Sequence, residues 1–332
     1  MSAIPILITG ATGYLGAQLV FGLLRKFGDG VACRVTVRSG SDAGFLNGLP
    51  VEIVAADIHD PHAIAEAVHG AEVVFHCAGL IAYTSNYRDR LYETNVLGTR
   101  NVVNACLAEG VRKLVATSSI AAVGMPEHQE GNREANESSA FSEWQRRNPY
   151  MESKHLAELE CRRGAAEGLD VVMVNPGVVI GRGEGKNAPG SSSNDVLRMI
   201  YRGSLPFCPD GGTGFVDVLD VADAHIAAWE HGHAGERYIV VGANLSFREL
   251  FDRIAALPGS SAKKPVRVAG ALASATGLGG ELWSLLSGRP SFISIESLRQ
   301  ASRLAAYSNR RSLHELGMSY RPFDETLKTV IS

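Results

Sequence analysis

The stretch Ile4-Pro5-Ile6-Leu7-Ile8-Thr9-Gly10-Ala11-Thr12-Gly13-Tyr14-Leu15-Gly16 runs from apolar residues into three spaced glycines, and Ala17 to Phe27 beyond it carries apolar side chains at helical spacing. A strand, a tight turn and a helix in that order predict the first unit of a parallel α/β sheet. In such a turn Gly10 and Gly13 let backbone N–H groups approach an anion, while Gly16 lets the helix pack closely on the strand. The helix N-terminus adds a field favouring negative charge. Gly10, Thr12, Gly13, Tyr14, Leu15 and Gly16 are therefore the expected seat of a dinucleotide's pyrophosphate. The chain holds 36 glycines, so a chance triplet is the competing reading; the strand-turn-helix context outweighs it.

Outward from this unit, Cys33 to Val37, Val51 to Ala55, Val73 to Cys77, Leu114 to Thr117 and Val171 to Val174 read as strands, with helices near 61–69, 91–109 and 149–167. That alternation predicts an α/β, Rossmann-type doubly wound parallel sheet. Asp60-Pro61 is an N-cap followed by a helix-starting proline, and Gly110 is a helix stop. Beyond residue 180 the alternation fades into a Gly/Ser-rich stretch from Gly181 to Asn194, with a capping box later at Ser246-Phe247-Arg248-Glu249. The expected organisation is a dinucleotide-binding domain over residues 1–180, completed by segments near 214–242, and a mainly substrate-binding smaller lobe over 181–332.

At the end of the second strand, such a fold selects its cofactor through the group facing the adenosine ribose. Here that residue is Arg38. A guanidinium pairs with a 2′-phosphate and offers no acceptor to a ribose hydroxyl, so NADP is expected, with NAD as the alternative. Asp42 nearby is a partial acidic substitute, and Arg34 is a less apt helper.

Asn148-Pro149-Tyr150-Met151-Glu152-Ser153-Lys154 sets a phenol and an ammonium four residues apart, on one face of a helix. Asn148 suits an N-cap and Pro149 a first helical position, which puts Tyr150 in the first turn. The helix dipole and the cation both favour tyrosinate, and the expectation is a phenol pKa lowered from about 10 toward working pH. A solvated surface pair is the competing reading for this motif taken alone.

The 332 residues carry a formal net charge of −3, which gives no electrostatic footprint for nucleic acid. Five scattered cysteines (33, 77, 106, 161, 208) without Cys-x-x-Cys spacing fit free thiols in a reducing compartment, so the expected location is cytoplasmic. No run of 18 apolar residues occurs; the nearest approach, Val266 to Gly280 with Leu282, Trp283, Leu285 and Leu286, reads as a packed helix in preference to a peripheral membrane contact. The ten histidines show no metal-ligand spacing and no metal is expected. His76 reads as a satisfied core residue, and His231-Gly232-His233 as a loop.

Taken with Ala56-Asp57-Ile58, Val74-Phe75-His76-Cys77-Ala78-Gly79, Thr94-Asn95-Val96-Leu97-Gly98-Thr99, Thr117-Ser118-Ser119-Ile120 and Asn175-Pro176-Gly177, these motifs make the chain resemble the extended short-chain dehydrogenase/reductases. Within them it is most similar to the dihydroflavonol-4-reductase-like and 3β-hydroxysteroid-dehydrogenase-like branch of the epimerase/dehydratase superfamily. The resemblance implies an NADP-dependent oxidoreductase interconverting a ketone and a secondary alcohol on a small, fairly apolar substrate. It implies Tyr150 as acid/base, Ser119 on the substrate oxygen (Ser118 being the other serine available), and Lys154 tuning Tyr150 and holding a ribose hydroxyl. Asp57 and Ile58 would flank the adenine; Cys77, Ala78, Gly79, Thr117, Asn175, Pro176, Gly177 and Val178 would line the cofactor. Asn95 would orient a relay water or bond local backbone. Phe215-Val216-Asp217-Val218-Leu219-Asp220-Val221-Ala222 matches the family's back-lobe strand and helix opening, with Asp217 structural.

Ile81, Tyr83, Met125, Tyr201 and Phe207 are candidate substrate walls. Relatives commonly dimerise through a helix pair, so a homodimer is a possible assembly. Two alternatives stay open. A nucleotide-sugar epimerase or dehydratase with tightly held NAD would use Arg182, Lys186, Arg198 and Arg202 on a diphosphate, although Ile120-Ala121 supplies no acidic pair after Ser119. A non-catalytic cofactor sensor is the other, opposed by the intact Ser119, Tyr150 and Lys154.

Overall fold

The computed structural model describes residues 3–125, 134–185, 188–205, 207–267 and 295–331. The elements are β1 (Ile4–Thr9), α1 (Tyr14–Phe27), β2 (Val31–Val37), β3 (Val51–Ala55), α2 (Pro61–Val68), β4 (Val73–His76), α3 (Arg88–Leu91), a π-helical turn (Tyr92–Leu97), α4 (Gly98–Glu109), β5 (Lys113–Thr117), α5 (Pro149–Ala166) and β6 (Val171–Pro176). There follow β7 (Val178–Ile180), α6 (Ser192–Tyr201), β8 (Phe207–Cys208), β9 (Gly212–Asp217), α7 (Val218–His231), β10 (Arg237–Val240), β11 (Ala243–Ser246), α8 (Phe247–Ala255) and β12 (Val266–Arg267), with short helices at Ile295–Ala301, Arg310–Glu315 and Phe323–Ile331.

Successive side chains of β1 are apolar on both faces because both faces are covered, as a parallel sheet requires. Ile6 and Ile8 point to one side with Val35, Phe75 and Val115, packed under Leu19 and Leu23 of α1 and Val221 and Ala224 of α7. Leu7 points to the other with Val74, Leu114 and Met173, under Ile64 of α2, Val102 of α4 and Cys161 of α5. The main sheet has seven strands among the described residues, in the order β10-β6-β5-β4-β1-β2-β3, and every neighbouring pair is parallel. This is the doubly wound Rossmann-type arrangement. The chain direction across the sheet reverses between β1 and β4, which opens a crevice at their C-terminal ends.

A smaller three-stranded sheet, β11-β9-β7, packs with α6, α8 and the C-terminal helix around Leu197, Phe215, Leu250, Ile254 and Val330. From β9 the chain passes through α7 back to the main sheet, where β10 pairs with β6. Helix ends follow their local signals: Asp60 accepts from His62 N and Ala63 N, Asn148 from Tyr150 N and Met151 N, and the Ser246/Glu249 capping box forms. Gly110 ends α4 in the left-handed region at φ +67°.

Two stretches differ from the sequence expectation. β2 starts at Val31, before Cys33. The helix expected over 91–109 begins at Arg88 and is interrupted by the π-helical turn. That turn is held from outside: Asn95 Oδ1 accepts from Leu80 N at 2.7 Å, its Nδ2 donates to Leu80 O at 3.0 Å, and Thr99 Oγ1 donates to Asn95 O at 2.6 Å. The stretch Val266 to Gly280, expected as a packed helix, opens instead as strand β12 at Val266–Arg267, paired with β8; its remainder lies outside the described residues. No helix among the described residues is long and apolar enough to cross a membrane.

Candidate active site

The glycine turn and the loop after β4 meet at the crevice. Gly10 has φ +73°, and a Cβ there would stand 2.5 Å from Ala78 N; a Cβ at Gly16 would stand 2.2 Å from Gly10 O. Gly10 and Gly16 therefore let the turn close on itself and on Cys77-Ala78. Gly13 differs: it is exposed, and a Cβ there would meet only Gly10 O, at 3.2 Å. Helix α1 has no side-chain cap and no acidic residue in its first turn, which leaves its first N–H groups facing solvent beside Gly13. Thr12 and Leu15 lie in the same turn. Tyr14 turns its ring away: its hydroxyl donates to Gly181 O at 2.5 Å and accepts from Asn194 Nδ2 at 3.4 Å.

Arg38 follows β2 directly and is exposed; among the described residues no ion pair or side-chain hydrogen bond engages its guanidinium. Arg34 is committed elsewhere, to Glu52 at 2.8 Å and to the carbonyls of Ala67 and His69. Asp42 accepts from Gly44 N at 3.0 Å within its own turn. Asp57 is half-exposed and lies 2.8 Å from His59 Nδ1. Ile58 is buried beneath Gly98, where a Cβ would stand 2.6 Å from Ile58 Cδ1.

Tyr150, Lys154 and Ser119 come together at the C-terminal end of β5. They are 7%, 8% and 9% exposed. The Tyr150 phenol lies beside the Ser119 hydroxyl, which accepts from Ala121 N at 3.1 Å. Lys154 Nζ donates to Thr117 O at 3.1 Å and lies close to Gly79 and Asn95 Oδ1, both within contact of one point beside Gly79. Burial pushes the phenol up to about 12 against the lowering effect of the neighbouring Ser119 hydroxyl. This corrects the expected lowering: desolvation of the phenolate is the largest effect on this buried group. Burial likewise lowers Lys154 to about 8, opposed by Cys161, Glu158 and Cys77, and raises the Cys77 thiol to about 11.

Around Tyr150 the wall is apolar. Tyr83 meets it edge-on with ring centroids 5.5 Å apart, and Met125, Ile120, Val241 and Tyr307 belong to the same cluster. Ile81, on the Tyr83 loop, is 55% exposed. Two expected walls are not part of this cluster. Tyr201 is drawn to the segment that follows α8, its hydroxyl donating to Pro258 O at 2.6 Å, and Phe207 is half-exposed on β8. Tyr307, distant in sequence, was missed; it donates to Met125 Sδ at 2.9 Å.

Asn95 takes the local reading, since its amide also donates to Ser153 Oγ at 2.9 Å besides its two bonds to Leu80. His76 is a satisfied core residue: Nδ1 meets Thr9 Oγ1 at 2.8 Å and Nε2 meets Thr99 Oγ1 at 3.0 Å, and burial lowers it to about 3. Asp217 caps α7 through Leu219 N and accepts from Thr326 Oγ1. Asn175 and Pro176 end β6 in full burial, Gly177 presses on Gly214 O, and Val178 opens β7. Ser118 is spent on a carboxylate the sequence reading overlooked, Glu158, at 2.6 Å. Its signal was present: 150, 154 and 158 continue one helical face. Of the basic groups considered for a diphosphate, Arg198 bonds Val330 O and Asp195, Arg182 and Arg202 are exposed, and Lys186 lies outside the described residues. No group of three or more His, Cys, Asp or Glu side chains suited to a metal ion occurs among the described residues.

Residues 6–242 match the family model described as NAD dependent epimerase/dehydratase family. The chain is 33% identical over 261 residues to a putative dihydroflavonol 4-reductase of Synechocystis sp., covering 77% of this chain and 73% of the relative. It is 33% identical over 253 residues to sterol demethylase protein B of Methylococcus capsulatus, covering 76% and 74%. Among solved structures it resembles gox2253, with a TM-score of 0.82 at 28% identity over 100% of this chain and 97% of that one. A UDP-glucose 4-epimerase from Thermotoga maritima shares the fold, with a TM-score of 0.75 at 20% identity over 98% and 97%.

Proposed function

Because this chain belongs to the NAD-dependent epimerase/dehydratase family, and is thereby an NAD(P)-dependent enzyme of the extended short-chain dehydrogenase/reductase type, we propose that it reduces a ketone of a fairly apolar substrate to a secondary alcohol, with NADP(H) as the preferred cofactor. The observation that carries this reading is the convergence of the buried Tyr150, Ser119 and Lys154 side chains at the C-terminal end of β5, beside an apolar cluster. The relatives named reductases support the direction of chemistry. The commitment of Arg198 to Val330 and Asp195 leaves a sugar diphosphate with fewer partners than the sequence offered.

The residues present suit a dinucleotide: the uncapped start of α1 beside Gly13 offers N–H donors to a pyrophosphate, and Arg38, with no side-chain partner among the described residues, offers a fork to a 2′-phosphate. When bound, the cofactor supplies the hydride. As charge develops on the substrate oxygen, Tyr150 gives up its phenolic proton to it and Ser119 donates a hydrogen bond to the same atom. A phenol held at about 12 stays protonated at neutral pH and is thus a donor throughout the working range. Lys154, cationic below about 8, stabilises the phenolate left behind. The lobe formed by residues beyond 180 would close over the substrate, with Ile81, Tyr83 and Met125 as walls.

Calorimetric titration with NADPH and NADH, followed by a panel of β-keto esters, cyclic ketones and nucleotide sugars, tests the reading. Turnover of ketones with NADPH supports it; turnover of nucleotide sugars alone replaces it with the epimerase reading. Arg38→Ala is expected to weaken NADPH by roughly ten- to a hundredfold and NADH little, since a charged hydrogen bond contributes about 1.5–3 kcal/mol. Equal weakening of both cofactors would remove Arg38 from the 2′-phosphate. Ketone reduction should also decline as pH rises through about 8, because Lys154 then loses its charge. A kcat profile flat to pH 10 would contradict that role.

A further inference from the structure

Beneath the Ser119–Tyr150 pair lies a buried ion pair. Glu158 and Arg237 have side chains only 2% and 7% exposed and meet at 2.9 Å. Glu158 Oε1 accepts from Ser118 Oγ and from Asn175 Nδ2, both at 2.6 Å, and Asn175 Nδ2 also donates to Ser119 O at 2.9 Å. Arg237 spends its remaining donors on backbone: Nε on Glu137 O at 2.9 Å, Nη2 on Ser139 O at 3.0 Å and Nη1 on Ala122 O at 3.4 Å. One carboxylate on α5 thus ties together the end of β5, the end of β6 and the start of β10. Stability alone does not account for it, since apolar residues of similar volume often replace buried ion pairs without loss.

We infer that Glu158, whose charge is balanced by Arg237, is a positioning residue: it fixes the backbone of Ser119 against α5 and so sets how the Ser119 hydroxyl is presented to Tyr150. The inference rests on Ser119, Tyr150 and Lys154 being the reacting set. Two turns of α5 carry Tyr150, Lys154 and Glu158 down one face, so the strand end that bears Ser119 and the helix that bears Tyr150 share a single anchor. The same carboxylate faces Lys154. The other titratable groups there are Cys161 on the same helix and Cys77 and His76 at the end of β4.

The test uses full-length protein labelled with [13Cζ]tyrosine and [13Cε]lysine, with Tyr150→Phe and Lys154→Met assigning the two resonances. The double variant Glu158→Gln/Arg237→Met removes both buried charges together. It is expected to bind NADPH, to shift the Tyr150 resonance, and to lower the Lys154 titration midpoint by about one pH unit, as loss of a nearby opposite charge does. Glu158→Asp keeps the charge but withdraws the carboxylate; it should shift Tyr150 and leave Lys154 in place. A Tyr150 resonance unmoved in a variant that still binds NADPH overturns the inference. If the double variant does not fold, Glu158→Asp decides on the same criterion. The readout needs no substrate, so it fails independently of the catalytic reading, which the turnover of Tyr150→Phe tests.

Discussion

Tyr150→Phe is expected to leave NADPH affinity nearly intact and to lower turnover by about 100-fold or more, the scale of losing a positioned acid. The substitution keeps the ring that packs edge-on against Tyr83 and removes only the hydroxyl. Ser119 keeps its bond from Ala121 N, so no buried group is left without a partner. Lys154→Met should behave differently and damage cofactor binding as well as turnover. Its ammonium bridges to Thr117 O and stands beside Gly79, on the side of the crevice where the cofactor would lie. Single-turnover reduction of a β-keto ester followed by NADPH fluorescence separates the two. Full reduction by Tyr150→Phe would return Tyr150 and Lys154 to the status of a structural pair.

Gly13→Val should abolish measurable NADPH binding while the protein melts near the wild-type temperature. Gly13 has φ −88° and ψ 166°, a conformation that valine adopts readily, and its position is open except for Gly10 O. The branched side chain would then fill the space in front of the α1 N–H groups. Gly10→Val and Gly16→Val are expected to fail for another reason, because each would drive a Cβ into backbone at 2.5 Å and 2.2 Å. Calorimetry with a thermal melt distinguishes binding from folding. Unchanged NADPH affinity in Gly13→Val would move the pyrophosphate away from this turn.

What the sequence made legible was local or periodic. Asn148, Asp60 and Ser246 cap helices because cap chemistry acts within three residues. The strands declared themselves because a sheet covered on both faces needs unbroken apolar runs. Tyr201 and Phe207 fall outside the cluster around Tyr150 because closeness in sequence to the proposed site says nothing of which neighbour, here Pro258 for Tyr201, claims a side chain. The pKa of Tyr150 was misjudged in sign because spacing reveals the cation and the helix end but not the burial, which is the larger effect. Glu158 was legible as a third step along the Tyr150–Lys154 face. Its partner Arg237 was not, since 79 residues separate them. The π-helical turn was hidden as well, because the bonds that hold it come from Leu80, outside the helix.

The pairing of α1 with α7 bears on how the chain is made. Leu19 and Leu23 share a core with Val221 and Ala224, Phe27 lies 5.2 Å from Trp229, and Lys26 reaches Glu230. A growing polypeptide that has emerged only as far as residue 180 has therefore built most of the sheet yet has nothing to lay over the outer face of its first helix. Such a half-made chain carries an apolar stripe open to misassociation. Cutting the gene at that boundary should accordingly yield aggregated material, while a nicked protein whose later fragment supplies residues 218–231 in trans should stay in solution.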